Sequence, residues 1–287
     1  GIKEINIMRN NGGTWTNLAT LPATATTYSD TSRLVEGDSY CYSIWMVNNT
    51  DNSLIANSNQ SCIKADIVRK PKDLYIRYAS VDTLSQKVKL AWIIDSTAEL
   101  KSFIIERNSG SGFTTVATIP AVNPSGVVRQ YFEYSYVDSS AEVNATSHVY
   151  RVKSIDPCDS IFTSVNSAKT ILLTGQALGN FTNSMSWNEY LDWINGVKEY
   201  EVLRNVPANS TVYSSVIAKP TTDRSFIDDV FLLEDNDGNF CYIIMAVENG
   251  INKYGLIDTA FSNRLCVTQE PRLFVPNVIA PDGLNNK

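Results

Sequence analysis

The sequence predicts an all-β protein built from tandem β-sandwiches, and three features of its 287 residues support this. An eight-residue phrase occurs three times, as KEINIMRN at 3–10, KSFIIERN at 101–108 and KEYEVLRN at 198–205. Apolar and polar residues alternate within each copy, which is the period of a strand with one buried face. Many short β-rich runs separated by turn residues, at about 100 residues per unit, are typical of sandwiches.

The same elements surround each copy of the phrase in the same order. A tryptophan strand precedes the second and third copies, ending at Trp92 in the second unit and lying around Trp187 in the third, and the first copy lacks it. A run such as FTTVATIP follows it, and then an aromatic-x-Asp step that ends at Asp30, Asp138 or Asp228. The next strand reads SYCYSIWMV, SHVYRVKSI or NFCYIIMAV, and the units close near Asn59, Asn166 and Asn263. A repeated order of strands indicates a repeated domain.

This order resembles the fibronectin type III domain over roughly residues 1–268. The tryptophan marks strand B, the phrase is strand C, and LVEGDSYCY matches the spacing of that family's tyrosine corner at Leu34, Gly37 and Tyr40. The corner position holds His148 in the second unit and Phe240 in the third, so both lose the corner hydroxyl. The resemblance implies tandem fibronectin type III-like sandwiches and says little about function, because this fold supports many roles.

The resemblance also predicts the domain organisation. Residues 1–66 would be a partial domain with strands C to G, and residues 67–174 and 175–270 would be two further domains. Residues 271–287 would begin a different, C-terminal domain. Gly175 is a predicted hinge, and the short joints predict a semi-rigid rod.

Four of the five cysteines pair when the units are aligned. Cys41 and Cys62 take the F and G strand positions of the first unit, and Cys241 and Cys266 take them in the third. Strands F and G are antiparallel neighbours in this fold, so we expect two disulfides and an unpaired Cys158. The alternative is reduced, half-buried thiols. Disulfides would indicate an oxidising compartment.

Composition disfavours several classes of function. A net charge of −6 and a pI near 4.9 disfavour a nucleic-acid partner. The sequence has no apolar run of 18 residues, so we expect no transmembrane helix. His148 is the one histidine, which leaves no histidine cluster for a metal and favours a structural imidazole. We therefore expect no enzyme and no cofactor, although glycosidase-type carboxylate pairs stay open.

One turn, EDNDGNF at 234–240, partly resembles a calcium loop through Asp235, Asp237 and Gly238. It lacks the glycine at loop position six and the glutamate at position twelve. We expect an ordinary turn, with a weak surface calcium site at 235–238 as the alternative.

The last stretch, LFVPNVIAPDGLNNK at 273–287, breaks the repeat and resembles the opening of the gliding-motility-associated C-terminal domain. The matching residues are Val275, Pro276, Asn277, Pro281, Asp282, Gly283, Leu284 and Asn285, whereas two residues of the family's usual turn are missing and Asn286 replaces its aspartate. The resemblance implies a sorting signal for the type IX secretion system of Bacteroidetes, and hence a secreted or cell-surface protein. The implied partners are the type IX translocon and an outer-membrane protein of the PorV or PorP/SprF type. The alternative is a Pro/Asn-rich linker.

The same resemblance implies O-glycosylation at Asp-Ser/Thr steps followed by a small or aliphatic residue. The candidate positions are Thr83, Ser96, Ser160 and Thr259. The alternative is that all four are ordinary turn residues.

Three functions fit the sequence. The first is a stalk region of a surface adhesin or gliding-associated protein. The second is an accessory tail of a secreted enzyme whose catalytic module lies upstream. The third is a module that itself binds a glycan or protein ligand. The units carry core, turn and disulfide residues without a converging polar cluster, which favours the first.

Overall fold

The computed structural model describes residues 1–205, 212–220, 222–233 and 238–270, and the chain divides into two compact units at Arg69 and Lys70. The first unit, Gly1–Arg69, is a single antiparallel sheet in the order β2-β1-β3-β4, with β5 also on β3. Its strands are β1 (Ile2–Asn10), β2 (Thr16–Pro22), β3 (Ser39–Asn48), β4 (Ile55–Asn57) and β5 (Ser61–Lys64). In fibronectin notation this is the C′–C–F–G sheet.

The second unit begins at Lys70 and contains two complete sandwiches. In chain order, after the sheet of the first unit, we call these two the second and the third sandwich. The strands of the second sandwich are β6 (Leu74–Val81), β7 (Val88–Asp95), β8 (Ser102–Asn108), β9 (Phe113–Pro120), β10 (Gly126–Val128), β11 (Tyr131–Asp138), β12 (Val149–Ile155), β13 (Ile161–Thr163) and β14 (Ala168–Lys169). One sheet has the order β10-β11-β7-β6, and the other has the order β13-β12-β8-β9, with β14 on β12.

The third sandwich repeats this plan with the strands β15 (Leu173–Leu178), β16 (Thr182–Trp187), β17 (Val197–Asn205), β18 (Ser214–Pro220), β19 (Ser225–Asp229), β20 (Asn239–Glu248), β21 (Thr259–Phe261) and β22 (Leu265–Thr268). Its sheets have the orders β15-β16-β19 and β18-β17-β20-β21, with β22 on β20. An A–B–E sheet facing a C′–C–F–G sheet is the fibronectin type III arrangement. The all-β, tandem-sandwich prediction is therefore confirmed.

The repeated phrase forms β1, β8 and β17, and each of these strands lies between strands C′ and F of its sheet. In the two complete sandwiches this central strand buries one face against the opposite sheet, which explains why buried apolar residues recur at alternate positions. In the second sandwich Trp92 meets Phe103 edge-on, with ring centroids 5.3 Å apart. In the third, Trp187 meets Tyr200 at 5.9 Å. The tryptophan strand and the phrase therefore form the centre of each core.

Gly175 is not a hinge. It lies inside β15 opposite Met185, and a Cβ built there would come 2.3 Å from the carbonyl oxygen of Ser184. The glycine therefore permits a close backbone contact within the third sandwich, so the predicted hinge is wrong.

Candidate functional site: inter-sheet locks and the joint between two sandwiches

An arginine, an aspartate and a tyrosine recur together in the sheet of the first unit and in both complete sandwiches, and we call each set an inter-sheet lock because it joins two sheets in the complete sandwiches. The arginine is the seventh residue of the phrase, the aspartate ends the aromatic-x-Asp step, and the tyrosine lies on strand F. The three locks are Arg9–Asp30–Tyr42, Arg107–Asp138–Tyr150 and Arg204–Asp228–Tyr242. The lock explains why the phrase keeps its arginine.

The geometry of the lock is the same each time. The arginine Nη1 lies 2.9, 2.6 and 2.5 Å from the aspartate Oδ2 in the first, second and third unit. The tyrosine hydroxyl donates to the same oxygen at 2.8, 2.9 and 2.8 Å. In the two complete sandwiches the aspartate belongs to strand E, and the other two residues belong to the opposite sheet. The lock therefore joins the two sheets through one carboxylate.

Two of the locks lower the pKa of their aspartate. Burial raises the pKa of Asp30, but hydrogen bonds from Ser32, Tyr42 and Arg9 outweigh it and lower the pKa to about 2. Asp138 is also buried, and hydrogen bonds from Ser140, Tyr150 and Arg107 lower its pKa below the ordinary value. Several charge-assisted hydrogen bonds to the two oxygens of one carboxylate compensate its negative charge where solvent access is low.

The second and third sandwiches share a buried joint centred on Arg77 of β6. Its guanidinium contacts Asp258 of the third sandwich through Nη2–Oδ1 at 2.6 Å and Nε–Oδ2 at 3.2 Å. Nη1 contacts Glu133 of the second sandwich at 2.6 Å. The Asp258 side chain is 4% exposed, so this ion pair lies away from solvent. A bidentate pair of this kind fixes orientation as well as distance.

The loop between β16 and β17 attaches the third sandwich to the backbone of β6. The indole Nε1 of Trp193 donates to the carbonyl of Arg77 at 2.6 Å, and the hydroxyl of Tyr190 accepts from the amide of Ala79 at 3.0 Å. The rings of Tyr190 and Trp193 pack together at 4.2 Å. The two aromatic side chains thus cover a sheet edge that would otherwise expose backbone groups.

An apolar cluster completes the joint on the outer face of the β6–β7 sheet. Tyr75 and Ile93 point away from the core of their own sandwich and pack with Tyr254 of the third. Tyr75 and Tyr254 have centroids 4.9 Å apart, and each of the three residues is at most 1% exposed. The third sandwich therefore packs on the side of the second, along the face of its sheet.

A buried carboxylate supports the loop that carries Asp258. Glu248 is 1% exposed and accepts bonds from the amide of Asp258 at 3.0 Å and from Nδ2 of Asn252 at 3.1 Å. Burial raises the pKa of Glu248 above its ordinary value. Its role is to order the loop from which Asp258 reaches Arg77.

Both predicted disulfides are present in the structure. Cys41–Cys62 joins β3 to β5, and Cys241–Cys266 joins β20 to β22, each at a directly opposed pair of strand residues. Cys158 is free and exposed. The matching positions in the second sandwich, Val149 and Lys169, are also directly opposed.

The four predicted glycosylation positions lie on different parts of the surface, and their modification stays a prediction. Ser96 and Ser160 are half-buried in turns. Thr83 is half-buried and Thr259 is exposed, and both border one cleft of about 530 Å³ between the second and third sandwiches. The fold therefore brings together two positions that are far apart in sequence.

The tyrosine corner occurs in the first unit, where the hydroxyl of Tyr40 accepts from the amide of Val35 at 2.9 Å. In the second, the buried His148 pairs its Nδ1 with Ser109 Oγ at 2.9 Å, and burial lowers its pKa. Burial therefore favours the neutral form of this imidazole. In the third, Phe240 packs in the core.

Two sequence features lie outside the described residues. These are Asp235 and Asp237 of the calcium-like turn, and residues 271–287 with the sorting-domain resemblance. Within the described ranges, no three His, Cys, Asp or Glu side chains are placed to hold one metal ion. The same ranges contain no helix long and apolar enough to cross a membrane.

The joint was not among the features predicted from the sequence. A signal for it was present, because LYIRY in β6 and LAWII in β7 are nearly continuous apolar runs, and all but one residue of β7 is buried. A strand buried on both faces shows such a run instead of clean alternation. The second apolar face of β6 and β7 implied that another part of the protein covers it, but it did not indicate which part.

Solved structures similar to the chain include two tandem-domain proteins. The chicken CNTN1 FN1-FN3 domains align with 93% of this chain and 89% of that chain, at 11% identity and a TM-score of 0.25. A tetra-tandem repeat in the extending region of a large adhesion protein aligns with 94% of this chain and 68% of that chain, at 16% identity and a TM-score of 0.27. No protein-family model matches the chain, and no curated protein matches it. The fold assignment rests on the strand order and pairing described above.

Proposed function

We propose that these residues form a non-catalytic stalk, or spacer, of a secreted or surface-attached Bacteroidetes protein. That protein would be an adhesin or a gliding-motility-associated protein exported by the type IX secretion system. The observation that carries the proposal is the inter-sheet lock, which the chain builds three times with the same three residue types. A residue set that repeats with the domain serves the domain's integrity, whereas a catalytic or ligand site would be expected in one unit.

The disulfides add to this argument. Each links strand F to strand G across directly opposed residues. Such a bond holds the C-terminal strand on its sheet when the chain is pulled or attacked by proteases, and it persists in extracellular space. Disulfides therefore support an exported location and a load-bearing role.

The joint adds stiffness between domains. A bidentate ion pair, an indole bond to the backbone and a buried aromatic cluster act together between the second and third sandwiches. Bending there would have to break all three. A spacer that keeps a module at a set distance needs such joints.

Single-molecule force spectroscopy on the whole chain, tethered at its two ends, tests the stalk proposal. We expect discrete unfolding steps, and we expect Asp138→Ala to lower the force of the step that belongs to the second sandwich. Reduction should lengthen the extension released by the two disulfide-bearing units, by about 70 Å and about 85 Å for loops of 21 and 25 residues.

The second sandwich lacks a disulfide and is the internal control, so its step length should not change on reduction. Smooth extension without steps, or an unchanged force in Asp138→Ala, would contradict a load-bearing stalk.

Export is tested separately. A reporter fused to residues 175–287, extended by the rest of the C-terminal domain, should be exported by a type IX system and should bind an outer-membrane partner of the PorV or PorP/SprF type. A reporter on residues 1–270 alone should stay in the periplasm. Equal export of both reporters would place the sorting signal elsewhere.

Two alternatives remain. One is an accessory tail of a secreted enzyme with its catalytic module upstream, which sequencing of the upstream region separates from a stalk. The other is a module that binds a glycan or protein ligand. A cleft of about 800 Å³ at the joint favours a test of the latter, because the Arg151 guanidinium stacks over Phe113 beside Trp193 there. A glycan array on the whole chain is that test.

A further inference from the structure

An asparagine of strand G holds strand A in both complete sandwiches, and we call this contact the asparagine clasp. The asparagine lies where strand G is interrupted, between β13 and β14 in the second sandwich and between β21 and β22 in the third. Asn166 accepts from the amide of Ile76 at 2.8 Å and donates to its carbonyl at 2.9 Å. Asn263 makes the same two bonds with Leu173, at 2.6 and 3.0 Å. Each pair is 90 residues apart, so the clasp recurs with the domain.

A serine connects each clasp to the opposite sheet. The Oγ of Ser164 accepts from the amide of Val152 at 3.3 Å and donates to the carbonyl of the clasp asparagine at 2.7 Å. Ser262 accepts from the amide of Ile244 and donates to its own clasp asparagine, at 2.8 Å in both bonds. Val152 and Ile244 are equivalent residues of strand F. Each clasp therefore links strand F of one sheet with strand A of the other.

Each clasp asparagine also bonds across the joint to the neighbouring sandwich. The Nδ2 of Asn166 donates to the carbonyl of Asp192 in the third sandwich at 3.2 Å. The Nδ2 of Asn263 donates to Oδ1 of Asn144 in the second sandwich at 3.1 Å. A side-chain amide has two N–H groups and one acceptor oxygen. Both asparagines thus use one N–H group for their own strand A and direct the other at the neighbouring sandwich.

Burial makes the orientation of these amides important for strand A. Asn263 is 3% exposed and Asn166 is half-buried, so little water can replace a lost partner. The bond across the joint favours the side-chain rotation in which each amide also meets strand A. Coupling of this kind is reciprocal: a looser joint weakens the clasp, and a weaker clasp loosens the joint.

We propose that Asn166 and Asn263 are positioning residues through which the attachment of strand A in each sandwich depends on contact with the other sandwich. Strand A is the first strand of each sandwich and strand G is the last, so a pull along the chain reaches the sandwich through the two strands that the clasp joins. This load-bearing role rests on the proposed stalk function. The coupling itself is a property of the folded chain and is tested without load.

The main test changes the second sandwich and observes the third. Asn144 is exposed, so Asn144→Ala in the whole chain should fold normally while it removes the acceptor of Asn263. The measurement is deuterium exchange of the Leu173 amide by NMR, because that amide donates to Asn263 Oδ1. We expect exchange about fivefold faster, which is the size of effect that one hydrogen bond produces.

Two further variants separate this bond from a general disturbance of its loop. Asn144→Asp keeps an acceptor oxygen for Asn263, so the Leu173 amide should stay protected. Glu142→Ala lies two residues away in the same loop and is also exposed, so it is the matched control and should change nothing. The amide of Val202, in the core of the third sandwich, should keep its rate in all three variants.

A reciprocal test changes the third sandwich and observes the second. Asp192 is exposed, has a φ of 75° and accepts from the hydroxyl of Ser167 through its carboxylate. Asp192→Gly removes that contact without straining the backbone. The carbonyl that accepts from Asn166 is then held less firmly, and exchange of the Ile76 amide should rise at least about threefold. The amide of Trp92, in the core of the second sandwich, is the internal reference.

Three outcomes would overturn the proposal. The first is unchanged exchange of Leu173 in Asn144→Ala, and the second is equal acceleration in Glu142→Ala or Asn144→Asp, because the bond would then be irrelevant. The third is unchanged exchange of Ile76 in Asp192→Gly. None of these measurements applies load, so smooth extension in force spectroscopy would contradict the stalk and leave the coupling in place.

Discussion

Asp138→Ala should destabilise the second sandwich far more than the removal of an exposed ion pair. Asp138 is 1% exposed, and its carboxylate accepts from Arg107 at 2.6 Å, from Tyr150 at 2.9 Å and from Ser140 Oγ at 2.7 Å. The substitution leaves the buried hydroxyl of Tyr150 without its acceptor and the guanidinium of Arg107 without its counter-ion.

The magnitude follows from that burial. Removing one partner of a buried ion pair costs about 3–5 kcal/mol, because the remaining charge has lost its compensation. We expect about 4 kcal/mol for Asp138→Ala. We expect about 2 kcal/mol for Asp138→Asn, which keeps an acceptor oxygen but loses the charge.

The matched control lies in the same sandwich. Lys101 and Asp159 form an ion pair at 2.5 Å, with side chains 56% and 72% exposed. Exposed pairs contribute about 0–1 kcal/mol, so Asp159→Ala should change little.

Hydrogen exchange of the whole chain, followed by mass spectrometry, gives the measurement for each sandwich separately. Amides in β8, β11 and β12 should exchange at least about 100-fold faster in Asp138→Ala, since about 1.4 kcal/mol corresponds to tenfold. Peptides from the first unit should keep their rates. If Asp138→Ala and Asp159→Ala had equal effects, the lock would be no more important than a surface ion pair.

Three further predictions follow from the same structure. Reduction of Cys41–Cys62 should destabilise the first unit by about 3 kcal/mol, since the bond closes a loop of 21 residues; unchanged exchange in β3 after reduction would contradict this. The pKa of Asp30 is lowered to about 2, so its stabilisation of the first unit is complete above about pH 4 and is lost as the pH falls through 2; a carboxyl NMR titration with a midpoint near 3.8 would refute it. Arg77→Ala should leave both cores intact but speed exchange around residues 252–258 by at least about tenfold, because the buried Asp258 loses its counter-ion; unaltered protection there would mean that the aromatic contacts hold the joint alone.

The sequence alone was sufficient for much of the fold. Alternation within the phrase identified strand C, because a strand with one buried face must alternate. Comparison of the units placed Cys41 opposite Cys62 and Cys241 opposite Cys266, since internal copies share their register. These features depend on the local residue pattern and on the internal repeat, and both can be read directly from the sequence.

Only the tertiary structure decided the lock and the joint. The arginine of the phrase and the aspartate of the aromatic-x-Asp step recur in the sequence, but no local pattern states that they meet across two sheets. Gly175 looked like a hinge by its place between units, whereas its neighbours Ser184 and Leu265 make it a packing position. Arg77 and Asp258 are separated by 181 residues, and their contact exists because the third sandwich packs on the outer face of the β6–β7 sheet. A contact between residues so far apart in sequence depends on how two folded domains pack against each other. The strand period and the turn residues of the sequence do not contain that information.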